Sequence, residues 1–137
     1  MQSNKKRIFL VDDEEDITFT LGISLEDSGF EITSFNDPIL AIQSFKPHYY
    51  DLLVLDVMMP QMNGFELYQQ LRKKDIHVKV CFLTAITDLT EYDRYKKDVN
   101  LKLNKGNFVA KPIAHDDLIN RINEILAINN NINYADT

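Results

Sequence analysis

Three short apolar runs constrain what this chain can fold into: Ile8–Val11, Leu52–Leu55 and Val78–Leu83, the last broken only by Lys79. Each is strand-sized, rich in β-branched or other apolar residues, and shows little of the alternation of a half-solvated strand, as expected of parallel strands buried on both faces. Phe30–Phe35 and Phe108–Ala110 are weaker strand candidates. Helical stretches lie between them. Leu118, Ile119, Ile122, Ile125 and Leu126 form one apolar stripe, with Asp116 and Asp117 at the end where the helix dipole favours acids. Asp37-Pro38 starts another helix, since Asp can cap and Pro is tolerated in a first turn; its predicted buried side is Ile39, Leu40, Ile42 and Phe45, up to Pro47. After Gly64, Leu67 and Leu71 with Phe65 and Tyr68 suggest a third. Residues 14–28 read both ways: Ile17, Phe19, Leu21, Ile23 and Leu25 alternate like a strand, while Ile17, Leu21 and Leu25 also make a helical stripe. Length favours the helix.

Strands alternating with helices imply an α/β fold, a parallel sheet covered on both faces, with ligands beyond the carboxyl ends of the strands. The 137 residues suffice for one core that buries roughly two-thirds of the unfolded surface without disulfide or metal staples. Residues 1–128 read as one domain and 129–137 as a polar, Asn-rich tail, with no output domain expected after residue 128. The single cysteine, Cys81, has no internal partner and reads as an inert core residue, and the Lys-Arg-interrupted start is unlike a secretory signal. A cytoplasmic location is therefore expected. No apolar stretch approaches the roughly 20 residues of a membrane helix. A formal charge of −6 argues against direct binding to nucleic acid through its phosphates.

At the predicted strand ends stand Asp12-Asp13-Glu14, Asp56, Thr84 and Lys111-Pro112. Carboxylates forced within about 4 Å repel by roughly 4 kcal/mol per pair at an effective dielectric near 20, so they stay ionised together only with a cation. Oxygen-only donors, with no His or Cys among them, point to Mg²⁺. A carboxylate, a hydroxyl and an ammonium around Mg²⁺ suit phosphoryl chemistry, with Asp56, alone on its strand end, as the candidate nucleophile. His48, His77 and His115 lack ligand spacing and receive no role.

These residues resemble the receiver domain of two-component response regulators, the CheY-like family. The matching segments are Ile8–Glu14, Asp51–Gly64 with its D-x-M-M-P-x-M-x-G pattern, Phe82–Ala85 and Phe108–Pro112. The resemblance implies a doubly wound, flavodoxin-like (βα)5 fold with strand order 2-1-3-4-5. It implies that Asp56 accepts a phosphoryl group from a phosphohistidine on a sensor histidine kinase or phosphotransfer protein. Asp13 and Asp56 would ligate Mg²⁺ with the backbone carbonyl of Met58, Asp12 acting largely through water, while Lys111 and Thr84 contact phosphoryl oxygens. The bond before Pro112 would be cis, aiming Lys111 into the site. Phe108 matches a switch aromatic that turns inward as Thr84 moves, changing the surface of the fourth helix, fifth strand and fifth helix for an output partner. A phosphorylation-linked dimer is a further expectation.

Two departures stand out. The interval between Thr84 and Lys111 is several residues longer than the family's, and residues 100–107 replace its usual small-residue run. Met58 and Ile86, two beyond the acceptor and two beyond the threonine, are apolar, so neither can orient an attacking water and a long-lived acyl phosphate is expected. Within Tyr92–Lys105, cations interleave with acids as on a solvated helix face, the alternative being a docking surface anchored by Tyr92 or Tyr95. Two rival readings fit the residues less well. An unphosphorylated interaction module of the same fold would not need the intact Asp12/Asp13/Asp56/Thr84/Lys111 set. A Mg²⁺-dependent phosphohydrolase would want a second acid where Val57 and Met58 stand, and Gly22, Gly29, Gly64 and Gly106 form no nucleotide-binding loop. The chain thus reads as a phosphoacceptor signalling protein rather than an enzyme.

Overall fold

The computed structural model describes residues 4–85, 103 and 105–128. In chain order these form β1 (Arg7–Val11), α1 (Glu15–Asp27), β2 (Glu31–Phe35), α2 (Pro38–Ser44), β3 (Leu52–Asp56), α3 (Gly64–Lys74), β4 (Lys79–Thr84), a 3-10 turn at Lys105–Asn107, β5 (Phe108–Ala110) and α4 (His115–Ala127). The strands make one parallel sheet in the order β2-β1-β3-β4-β5. The C-terminal α4 is the fifth helix of the expected succession. The expected fourth, within Tyr92–Lys105, falls almost wholly outside the described residues, as do Ile86 and the tail 129–137.

Burial explains which strands were plain in the sequence. β1 and β3 lie between two helical layers: Phe9, Val11, Leu53 and Leu55 face α2 and α3, whereas Ile8, Leu10, Leu52 and Val54 face α1 and α4. With both faces covered, almost every position is apolar. β2 and β5 are the sheet edges, only partly buried and correspondingly weaker in pattern.

Helix geometry resolves the ambiguous 14–28 stretch. In α1, Leu21 and Leu25 are buried and Ile17 packs beside them, while Phe19 and Ile23, which supplied the strand-like alternation, stand 69% and 47% exposed. The expected buried face of α2 needs correction. Ile39 and Leu40 are exposed; Pro38 and Ala41 face the core, with Phe45 just past the helix end and Ile42 half-buried. Small Ala41 lets this short helix lie close to the sheet, and Pro38, Ala41 and Phe45 then complete the inward i, i+3, i+7 stripe. Its cap is as predicted: Asp37 Oδ1 accepts from the Ile39 and Leu40 amides at 2.8 and 3.4 Å. No described helix is long and apolar enough to cross a membrane.

Candidate functional site

Strand register assembles the site. Val11 pairs with Leu55, Asp56 with Leu83, and Thr84 with Ala110, so Asp12, Asp56, Thr84 and Lys111 line up along the carboxyl edge of neighbouring strands. Each lies where its strand stops and the chain turns toward a helix.

Asp12, Asp13 and Asp56 bring carboxylate oxygens within 4.8 Å of one another, with Asp12 and Asp56 buried and Asp13 half-buried. Lys111 Nζ reaches into the cluster, 2.9 Å from Asp56 Oδ1, 3.4 Å from Asp12 Oδ2 and 3.9 Å from Glu14 Oε1. The ammonium pairs with these oxygens as a counter-charge, and the Asp12 and Asp56 carboxylates it faces are both buried. Burial, reinforced by the nearby Asp12 charge, pushes the Asp56 carboxyl up to about 7, although Lys111 pulls the other way. Burial likewise raises Asp12, against the Glu14 amide and Lys111. Lys111 is pulled down by its own burial, but its contacts with Asp56 and Asp12 together outweigh this and hold it above the usual lysine range.

This donor set fits Mg²⁺. Three oxygen donors converge, those of Asp12 and Asp56 are buried, and the Lys111 ammonium by itself cannot neutralise three carboxylates. Met58, two residues past Asp56, is 56% exposed.

The other expected residues are close by. Thr84 is buried at the end of β4 and its hydroxyl donates to the Ala85 carbonyl at 2.9 Å. The Lys111–Pro112 bond is cis, as the resemblance implied. Phe108 is half-buried, its ring stacked on Phe82 at 5.5 Å and edge-on to Phe65 at 6.2 Å.

Three contributors had no role assigned from the sequence: Glu14 and Gly64, which stand in the matching segments, and Asn36, which stands in none. Glu14 adds a fourth acid within reach of Lys111. Gly64 is required by contact: a Cβ there would collide with the Asp56 carbonyl. Asn36, directly after β2, donates through Nδ2 to the main-chain carbonyl of Asp12. The strand-end rule would have found it had it been applied to β2.

A sheet of this order with a carboxylate cluster and a lysine at its carboxyl edge defines a receiver domain of a two-component response regulator. The family model for the response regulator receiver domain matches residues 8–123, and the chain belongs to that family. It is 32% identical over 121 residues to the alkaline phosphatase synthesis transcriptional regulatory protein PhoP of Bacillus subtilis, covering 88% of this chain and 48% of that protein. It is also 32% identical over 124 residues to the transcriptional regulatory protein RprY of Bacteroides fragilis, covering 89% and 50%. The chain thus spans about half the length of these curated relatives. Among solved structures, the non-phosphorylated HemR receiver domain of Leptospira biflexa superposes with a TM-score of 0.76 at 28% identity, covering 91% of this chain and 97% of that one. A CheY-like receiver domain from Methanospirillum hungatei has the same fold, with a TM-score of 0.76 at 24% identity, covering 90% and 94%.

Proposed function

We propose that this receiver domain is a phosphorylation-dependent switch in which Asp56 takes a phosphoryl group from a phosphohistidine of a histidine kinase or phosphotransfer protein. The observation that carries this is the Asp56 carboxylate itself, buried at the end of β3 and facing a lysine 2.9 Å away and two further acids. An Asp56 oxygen attacks phosphorus, the P–N bond breaks, the imidazole leaves and an acyl phosphate remains. Asp13, Asp56 and the Met58 carbonyl would hold Mg²⁺, with Asp12 assisting through water. When bound, Mg²⁺ supplies the positive charge that keeps the carboxylates ionised and offsets charge on the phosphoryl oxygens. Lys111 would then turn from Asp56 to the phosphoryl group, and Thr84 would give up its Ala85 contact to follow it.

The output partner would read this change on the face built from β5, α4 and the segment before β5, with Phe108 as the switch aromatic; a phosphorylation-linked dimer fits the same face. The relatives named as transcriptional regulators make control of transcription the favoured output, exerted through a partner or a further domain. We place the domain at residues 1–128, with 129–137 a polar tail, and the protein in the cytoplasm.

The test is intact mass after incubation with Mg²⁺ and acetyl phosphate. Wild type should gain one phosphoryl group and Asp56→Asn none; no gain with any donor would favour the unphosphorylated interaction module. Met58 and Ile86 offer no hydrogen-bonding group to orient water, so the phosphoryl group should persist well beyond seconds after the donor is removed. Spontaneous loss within seconds would contradict this.

A further inference from the structure

Within the loop carrying Asp12 and Asp13 the Glu14 amide donates to Asp12 Oδ1 at 2.9 Å, but Glu14, at the N-cap of α1, makes no side-chain cap bond, so an anchor from outside the loop adds to its own bond. Asn36 supplies one. Its Nδ2 donates to the Asp12 main-chain carbonyl at 2.8 Å and to Thr18 Oγ1 at 2.9 Å. Chemistry determines the orientation of this amide. A carbonyl oxygen only accepts, and the Thr18 hydroxyl already gives its proton to the Glu15 carbonyl at 3.0 Å, so both partners require the NH₂ end. Both partners belong to buried residues, although Asn36 itself is exposed. The preceding residue adds to the grip, since the Phe35 carbonyl accepts from the Asp12 amide at 3.2 Å. The end of β2 therefore holds Asp12 by both its N–H and its C=O, and ties it to the first turns of α1.

We infer that Asn36 is a positioning residue for the cation pocket, keeping Asp12 and Asp13 gathered beside Asp56 before the cation arrives. This rests on the reading that the pocket takes Mg²⁺. Three carboxylates within 4.8 Å repel one another. Without the Asn36 tie fewer bonds hold the loop against that repulsion, and the cation has to regather whatever spreads on binding. Partners that orient the residues around a metal commonly change its affinity tenfold or more when deleted.

Calorimetric Mg²⁺ titration of wild type, Asn36→Ala, Asn36→Ser and Thr18→Val, with melting in EDTA recorded alongside, tests this. Asn36→Ala should bind Mg²⁺ about tenfold more weakly. Asn36→Ser, which keeps one donor, should recover part of the loss, and Thr18→Val should weaken binding by less. Phosphoryl gain from acetyl phosphate should slow in Asn36→Ala at limiting Mg²⁺ and approach the wild-type rate at saturation. Affinity within about twofold of wild type, whether or not melting falls, would overturn the inference and leave Asn36 a purely structural residue. If Asn36→Ala does not fold, the same comparison on Thr18→Val decides. A wild type that binds no Mg²⁺ overturns the pocket reading and this inference together, an outcome distinct from a variant that binds as wild type does.

Discussion

Asp56 is a carboxylate that folding makes harder to ionise. Its pKa stands at about 7 in the folded chain against an ordinary 3.8, because burial and Asp12 outweigh the attraction of Lys111. Between those two values the folded state keeps a proton that the unfolded chain has released. Stability from this group is therefore fully present below the lower value and is lost as pH rises toward the upper one, each unit of difference corresponding to about 1.4 kcal/mol. Thermal melts without Mg²⁺ should show wild type losing stability from pH 4 to pH 7 and Asp56→Asn losing less, so that the variant is the more stable at neutral pH. Equal pH slopes would contradict this account. Mg²⁺ should raise the wild-type melting temperature at neutral pH and leave Asp56→Asn and Asp13→Ala nearly unmoved, because a ligand stabilises only the state that binds it.

At the scale of elements, α3 carries two separable contributions. Asn63 and Glu66 form a reciprocal cap, the Asn63 side chain accepting from the Glu66 amide at 2.8 Å and the Glu66 side chain from the Asn63 amide at 3.0 Å. Asn63→Ala should cost about 1 kcal/mol in urea denaturation while leaving phosphoryl acceptance intact, since the cap touches solvent and not the pocket. Gly64 is different. Its amide donates to the Val57 carbonyl at 2.8 Å, and an added Cβ would press on main-chain atoms of Asp56 and Val57, which cannot swing aside as a side chain can. Gly64→Ala should cost about 1–3 kcal/mol and also lower phosphorylation, because the displaced backbone carries the acceptor. An unchanged phosphorylation rate in Gly64→Ala would show that the loop absorbs the clash without moving Asp56. α1 and α2 show the limits of pattern at this scale. Phe19, Ile23, Ile39 and Leu40 are apolar yet exposed, and only packing tells which side of each helix faces the sheet.

Across the whole molecule the sheet separates two apolar layers, and Cys81 on β4 is fully buried among residues of β1, β3, α1 and α4. Burial pushes its thiol up to about 12. Since the thiolate is the reactive form, native protein should resist alkylation, and labelling should report opening of the whole core. Its rate under mild denaturant should fall when Mg²⁺ is added, because filling the pocket stabilises the closed molecule. Rapid labelling of native protein would refute the assignment of Cys81 to the core. The amino-terminal end of the strands shows the same integration: Lys79, at the start of β4, donates to the Leu126 and Ile128 carbonyls at 3.1 and 2.7 Å and so closes the end of α4.

Fold class and most of the site were legible in the amino-acid sequence alone, because both depend on local chemistry. Continuous apolar runs of this length suit strands buried on both sides, and the reactive residues directly succeed those runs, so Asp12, Asp13, Asp56, Thr84 and Lys111 could be named before any coordinates. Features that depend on distances between separate elements emerged only with the tertiary structure. The inward face of α2 depends on how closely Ala41 lets it approach the sheet. The need for glycine at position 64 comes from the Asp56 carbonyl it touches. The Asn36 tie joins residues 24 and 18 positions apart through an exposed side chain. Periodicity and spacing describe neighbours along the chain, whereas those three features belong to neighbours across it.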